Sequence, residues 1–213
     1  MSLRTRIKFC GITRIDDVRR SVELGVDAIG LVFTRSSQRF VGISQARVIR
    51  NELPAFVTAV ALFMDDEAGW IEEVIASVQP DILQFHGAET DGFASSFARP
   101  YIKAVPMGSL ADIARHASAY PNAAGLLLDS HARGARGGTG ATFDWTRILA
   151  GSGRQFVLAG GLNVANVAEA ITTVRPYAVD VSSGIESAPG IKDAAKMRAF
   201  AAEVRQADAA RED

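Results

Sequence analysis

The stretch "QFVLAGGLNVANVAEAITTVRPYAVDV", residues 155 to 181, contains the repeating unit of the whole chain. Gln155 to Ala159 is a short apolar run of strand-like composition. Two glycines stop it, and "VANVAEAITTV" then sets apolar residues three or four apart, the period of a helix with one buried face. Ala178 to Val181 returns to an apolar run. Two strands joined through a helix must run parallel, because the helix carries the chain back to the edge where the first strand began.

Working outward, the same alternation covers the rest of the sequence. The other strand candidates are Arg6 to Gly11, Ala28 to Phe33, Val57 to Phe63, Ile82 to Phe85, Tyr101 to Val105 and Ala124 to Leu128. These runs are nearly continuous in apolar residues, as parallel strands covered by helices on one face and core on the other demand. Helical spacing recurs in "RIDDVRRSVELG", "SQARVIRNEL", "EAGWIEEVIASV", "TDGFASSFA", "SLADIARHASAY", "FDWTRILA" and "KDAAKMRAFAAEV". Cap residues such as Asp144 before Trp145, or Asn163 after "GGL", mark helix starts. Eight units in 213 residues leave about 27 residues each, close to the smallest workable strand-plus-helix element. Nothing remains for a second domain. Open sheets of this kind usually hold about five or six strands, so eight repeats favour closure. The expected fold is α/β, a (β/α)8 TIM barrel formed as one domain over residues 1–213.

Composition narrows the function. Lys and Arg number 23 against 24 Asp and Glu, so no overall field steers the chain to nucleic acid. One cysteine cannot form an internal disulfide, and three histidines do not suit a protein-only zinc site, so no metal is expected. The N-terminus lacks a signal-peptide pattern, and no run of about 18 apolar residues occurs. A cytoplasmic protein without membrane contact is expected, as a monomer or homodimer.

In a barrel of this kind the active site lies at the C-terminal ends of the strands. Those ends supply Cys10 and Gly11, Arg35 and Arg39, Asp65 and Asp66, Gln84 and His86, Pro106, Asp129, Gly160 and Gly161, and Asp180 to Gly184. "LAGGLN" and "VDVSSGIE" have the chemistry of anion loops: small residues let backbone N–H groups approach a phosphate after strands seven and eight. A tight turn alone would also account for Gly160 and Gly161. "RGGTG", Arg136 to Gly140, lacks the Gly-Lys-Ser/Thr ending of a nucleotide loop and reads as a connection before the helix at Asp144.

Strand alternation puts Lys8 and Cys10 on one side, and a nearby ammonium is expected to lower the thiol pKa and raise its reactivity as a base or nucleophile. Cysteine also serves as a small buried hydrophobe, and the sequence leaves both readings open. Asp129 closes "GLLLD", where burial would raise its pKa toward that of a general acid; a loop-anchoring carboxylate is the alternative. Arg39 has the fork to hold a substrate carboxylate, with Arg35 competing for the role. His86 reads as a structural or orienting group. Asp65 and Asp66 read as caps of the following helix.

Taken together, "KFCGIT", "SSQRF", "LQFHG", "LLLDS", "GGTGATFDW", "LAGGLN" and "VDVSSGIE" followed by "PGIKD" resemble the phosphoribosylanthranilate isomerase family of tryptophan biosynthesis. They run in order over residues 8 to 193. Phe9 and Phe85 depart from the usual aliphatic residues, and "SHARGARGG" is a loop of variable length. The resemblance implies an isomerase that carries out an Amadori rearrangement of a small phosphosugar without a cofactor. It implies Cys10 as general base and Asp129 as general acid, and places Arg39 on the anthranilate carboxylate. Gly160, Gly161, Ser182, Ser183 and Gly184 would hold the phosphate, and Asp180 would lie near the ribose. Two other phosphosugar barrels compete. Indole-glycerol-phosphate synthase would need an extra N-terminal helix and a strand-end lysine, for which Lys103 is the nearest candidate; a pentulose-phosphate epimerase would need metal-binding histidines. A catalytically silent sugar-sensing barrel would have lost Cys10 or Asp129.

Overall fold

Residues 4–106, 110–129 and 156–210 are described by a computed structural model. Eight parallel strands close into a barrel in sequence order. They are β1 (Arg6–Cys10), β2 (Ala28–Val32), β3 (Thr58–Phe63), β4 (Ile82–Phe85), β5 (Tyr101–Pro106), β6 (Gly125–Asp129), β7 (Phe156–Ala159) and β8 (Ala178–Val181). The described helices are α1 (Ile15–Glu23), α2 (Ile43–Asn51), α3 (Ala68–Val78), α4 (Asp91–Ser95), α5 (Leu110–Ala119), α6 (Val167–Val174) and α7 (Ala194–Ala209). The expected helix "FDWTRILA", its cap Asp144 and the "RGGTG" loop lie outside the described residues. Strand ends shift by one residue or so from expectation. Gly11, for example, has left the first strand, and Asp129 belongs to the sixth.

Alternation along the strands makes two cores. Ile7, Phe9, Ile29, Leu31, Ala61, Phe63, Leu83, Phe85, Leu126, Leu128, Val179 and Val181 face the helices and join one large apolar cluster with α1, α2, α3, α6 and α7. The opposite faces point inward. There Ala104, Leu127, Val157, Ala159 and Ala178 form an inner cluster that reaches the mouth at Ala104 and Ala159, while Cys10, Val32 and Leu62 form a small cluster of their own. The chain closes where β1 pairs with β8, Lys8 lying opposite Asp180. The carboxylate of Asp208 on α7 accepts from the backbone N–H and hydroxyl of Thr5, at 2.6 and 2.7 Å.

Three expected caps are corrected. Asp65 and Asp66 do not cap α3, whose N-cap is Glu67 without a side-chain bond. Asp66 accepts instead from the Thr34 hydroxyl at 2.6 Å and the Met64 N–H at 2.9 Å, and Asp65 from the Ala88 N–H at 2.5 Å. They knit the loops after β2, β3 and β4 together, satisfying backbone groups that a strand end leaves open. Asn163 caps a turn and not the helix: it accepts from the Ala165 N–H, and α6 begins only at Val167. A hairpin absent from the sequence expectations follows β8, formed by β9 (Glu186–Ala188) and β10 (Ile191–Lys192). Among the described residues no helix is long and apolar enough to cross a membrane.

Candidate active site

A cavity of about 680 Å³ opens at the C-terminal ends of the strands. Cys10, Arg39, His86, Asp129, Gly160, Gly161, Asp180, Ser182 and Ser183 all line it. Most of the strand-end residues singled out from sequence thus converge on one space. Arg35 does not line it; its guanidinium stacks 4.4 Å from the centre of the Trp70 ring, which leaves Arg39 as the cavity's arginine among the described residues.

Cys10 ends β1 and is buried. Lys8 shares its face, as alternation predicts, but its ammonium is held by both carboxylate oxygens of Asp180, at 2.9 and 3.0 Å. Both partners of this ion pair are almost fully enclosed. Burial alone would push the Lys8 ammonium down, yet the Asp180 carboxylate holds it above its ordinary value. The expectation for the thiol is reversed. Burial pushes Cys10 up, outweighing the downward pull of Lys8, and the Asp180 charge adds to the rise. Seen from the sulfur, the cation comes with its own anion, so the pair has little net charge to offer a thiolate. Gly30, opposite Cys10 on β2, provides the space for the pair. A Cβ built there would lie 2.7 Å from Cys10 Sγ and 3.1 Å from Lys8 Nζ.

Asp129 ends β6 across the barrel. Its Oδ2 lies 3.1 Å from His86 Nε2, and His86 Nδ1 lies 3.2 Å from the amide nitrogen of the fully buried Gln84. His86, read from sequence as structural or orienting, therefore contacts the carboxyl expected to act as the acid. The signal that could have found it is the polar pair Gln84 and His86 at the end of the otherwise apolar β4.

The anion loops meet at the far rim. Gly160 and Gly161 have φ of 80° and 66°, left-handed conformations that favour glycine. The loop after β8 packs directly on the loop after β7, since a Cβ at Gly184 would overlap the Leu162 carbonyl oxygen. Ser182 Oγ is buried and has no hydrogen-bond partner among the described residues. Lys103, the lysine that a synthase reading would need as its acid, donates to the Gly87 carbonyl at 2.6 Å and to Glu89 at 2.8 Å, both buried. Among the described residues no group of three His, Cys, Asp or Glu side chains is arranged to hold a metal ion.

Fold and cavity together define a (β/α)8-barrel protein with a small-molecule site of acid, thiol and arginine chemistry at its strand ends. The family model for N-(5'-phosphoribosyl)anthranilate isomerase matches residues 7–203. The sequence is 53% identical over 211 residues to the N-(5'-phosphoribosyl)anthranilate isomerase of Xanthomonas oryzae pv. oryzae, covering 96% of this chain and 95% of that one. Its Halorhodospira halophila counterpart is 50% identical, with 97% and 99% covered. The crystal structure of phosphoribosyl anthranilate isomerase from Thermotoga maritima superimposes with a TM-score of 0.87 at 40% identity, covering 95% of this chain and 99% of that one. A structure of the enzyme in complex with reduced 1-(o-carboxyphenylamino)-1-deoxyribulose 5-phosphate matches at 0.84 and 39% identity, with the same coverage. The chain belongs to the N-(5'-phosphoribosyl)anthranilate isomerase family.

Proposed function

We propose that this protein converts N-(5'-phosphoribosyl)anthranilate into 1-(2-carboxyphenylamino)-1-deoxyribulose 5-phosphate, with Cys10 as general base and Asp129 as general acid. The observation that carries this reading is the shared cavity. A thiol from β1 and a carboxyl from β6 open into one space of about 680 Å³, rimmed by the glycine and serine loops of β7 and β8.

The substrate's phosphate goes to Gly160, Gly161, Ser182, Ser183 and Gly184, and its aromatic carboxylate to Arg39. Asp180 lies beside the sugar. Held at both ends, the pentose has its reacting atoms within reach of the acid and the base, an orientation effect worth about 7–11 kcal/mol at its upper limit. Asp129 gives its proton to the furanose ring oxygen. The bond from that oxygen to C1′ breaks as the anthranilate nitrogen forms a double bond to C1′. The resulting iminium acidifies the hydrogen on C2′, and the Cys10 thiolate removes it. Electrons flow back to nitrogen to give an enolamine; Cys10 returns its proton to C1′ while the C2′ hydroxyl gives up its own to the Asp129 carboxylate, leaving a ketone at C2′ and both groups as they began.

The buried thiol fits this sequence. Burial disfavours its charged form. A cation about 4 Å away stabilises an anion by about 4 kcal/mol at an effective dielectric of about 20, so the iminium itself favours the thiolate. The iminium therefore lowers the cost of the thiolate that accepts the C2′ hydrogen, the thiol's own proton having passed to solvent. His86 completes the acid. The Gln84 amide donates to Nδ1, so the imidazole hydrogen sits on Nε2 and is donated to Asp129 Oδ2, while the acid proton rides on Oδ1, the oxygen that serves the substrate.

The reaction takes place in the cytoplasm, on a small phosphosugar and without nucleic acid, in a monomer or homodimer. The balanced charge of the chain supports the exclusion of nucleic acid. The test follows the fluorescence of freshly generated substrate. Cys10→Ala and Asp129→Asn should each lower kcat by about 10²–10⁴, the usual contribution of a general acid or base, while inorganic phosphate still binds. Turnover within threefold of wild type in either variant would remove that residue from the mechanism.

A further inference from the structure

Arg39 does not meet the cavity with its whole fork. A guanidinium has five N–H groups arranged in a plane. Its side-on edge is taken: Nε and Nη2 donate to the two oxygens of Glu186, at 2.8 and 2.7 Å. No described residue takes the end-on edge, formed by Nη1 and the second hydrogen of Nη2.

Glu186 is itself fixed. It is nearly buried, on β9 of the hairpin, and Lys192 on β10 donates to its Oε1 at 2.8 Å. The same ammonium donates to the Cys10 carbonyl at 2.6 Å and the Ser182 carbonyl at 3.1 Å, so its three hydrogens are all used. The hairpin is therefore fastened to the ends of β1 and β8, beside the thiol and the serine loop. On its other side the Arg39 stem lies over Gly11, where a Cβ would come within 2.5 Å of Cδ. One carboxylate between two cations leaves one positive charge unbalanced. Burial works against the Glu186 charge, but Arg39 and Lys192 hold its carboxyl below the ordinary range.

We propose that Glu186 is a positioning residue for substrate binding: it fixes the plane of Arg39 so that the end-on edge meets the substrate's aromatic carboxylate, with Lys192 as the strut that locks this plane to the strand bearing Cys10. The inference rests on the isomerase reading above and adds the partner that aims its arginine. An arginine held by two bonds in a fixed plane has little freedom left to lose when a carboxylate arrives, which is how preorganisation strengthens binding.

The test is a double-mutant cycle. Glu186→Gln keeps the shape but puts an N–H against one N–H of the fork. It should raise the KM for N-(5'-phosphoribosyl)anthranilate about tenfold, with kcat within about twofold and the inhibition constant of inorganic phosphate unchanged. In an Arg39→Ala background the same substitution should raise KM no further. Glu186→Met, of similar length with no acceptor, should give the same readings if the amide variant does not fold. A wild-type KM in both variants, an equal KM rise with and without Arg39, or a loss confined to kcat would each overturn the proposal. Wild-type protein that fails to turn over the substrate would remove the isomerase reading and this inference with it; active wild-type protein with indifferent Glu186 variants would remove this inference alone.

Discussion

Gly30→Ala isolates the placement of the thiol from its chemistry. The new methyl would stand 2.7 Å from Cys10 Sγ, 3.1 Å from Lys8 Nζ and 3.2 Å from Cys10 Cα. Non-bonded carbon contacts settle at about 3.5–4.0 Å, so the sulfur must retreat by about 1 Å. The backbone yields little, because the Gly30 carbonyl accepts from both Gly11 and Ile12, at 2.9 and 3.0 Å. Overpacking of this kind costs about 1–3 kcal/mol of stability. A displacement of about 1 Å in a reacting group costs about 10²-fold in rate, so kcat should fall by that factor while phosphate binding holds. The assay pairs steady-state fluorescence kinetics with thermal unfolding of Gly30→Ala alone and combined with Cys10→Ala. Without the sulfur the methyl meets less, so the stability cost should shrink in the double variant. A kcat within threefold of wild type in the folded Gly30→Ala protein would show that the position of Cys10 Sγ does not govern the reaction.

Two further outcomes follow from the same geometry. Because burial raises the Cys10 thiol pKa, the thiolate fraction at any given pH is smaller than for a free thiol. Its alkylation by iodoacetamide should therefore climb through a range above about 8.5, the ordinary thiol value; a midpoint at or below that value contradicts the burial argument. Gly184→Ala drives a methyl into the Leu162 carbonyl, a backbone atom. The β7 and β8 loops must separate, and the inhibition constant of inorganic phosphate should rise at least tenfold, whereas an unchanged constant would place the phosphate elsewhere.

The barrel was legible because its cause is local. Each apolar run and each three-to-four spacing announces itself without reference to distant residues, and eight repetitions leave closure as the economical arrangement. Strand ends follow, and with them Cys10, Asp129 and the glycine loops. What stayed hidden depends on pairs that only the folded chain creates. Lys8 is visible beside Cys10 in sequence, but the Asp180 that cancels its charge is 172 positions away. Glu186 stands 147 positions from the arginine it holds, in a hairpin whose strands of three and two residues carry no apolar run. Gly30 looked like an ordinary strand residue until β1 and β2 lay in register. Asp65 and Asp66 have cap chemistry, and here loop-to-loop bonds won the competition for their oxygens.

The seam between the first and eighth strands gives the molecule an order of assembly. A growing polypeptide exposes the thiol-bearing segment early, yet the second of its two hydrogen-bonded neighbours, β8, is synthesised some 170 residues later. Bringing such remote segments together costs about 4–5 kcal/mol of chain entropy for a flexible loop of that length. Catalytic competence thus waits on the last strand, and a chain cut before Asp180 would hold seven strands of an unclosed ring, with β1 lacking its second neighbour.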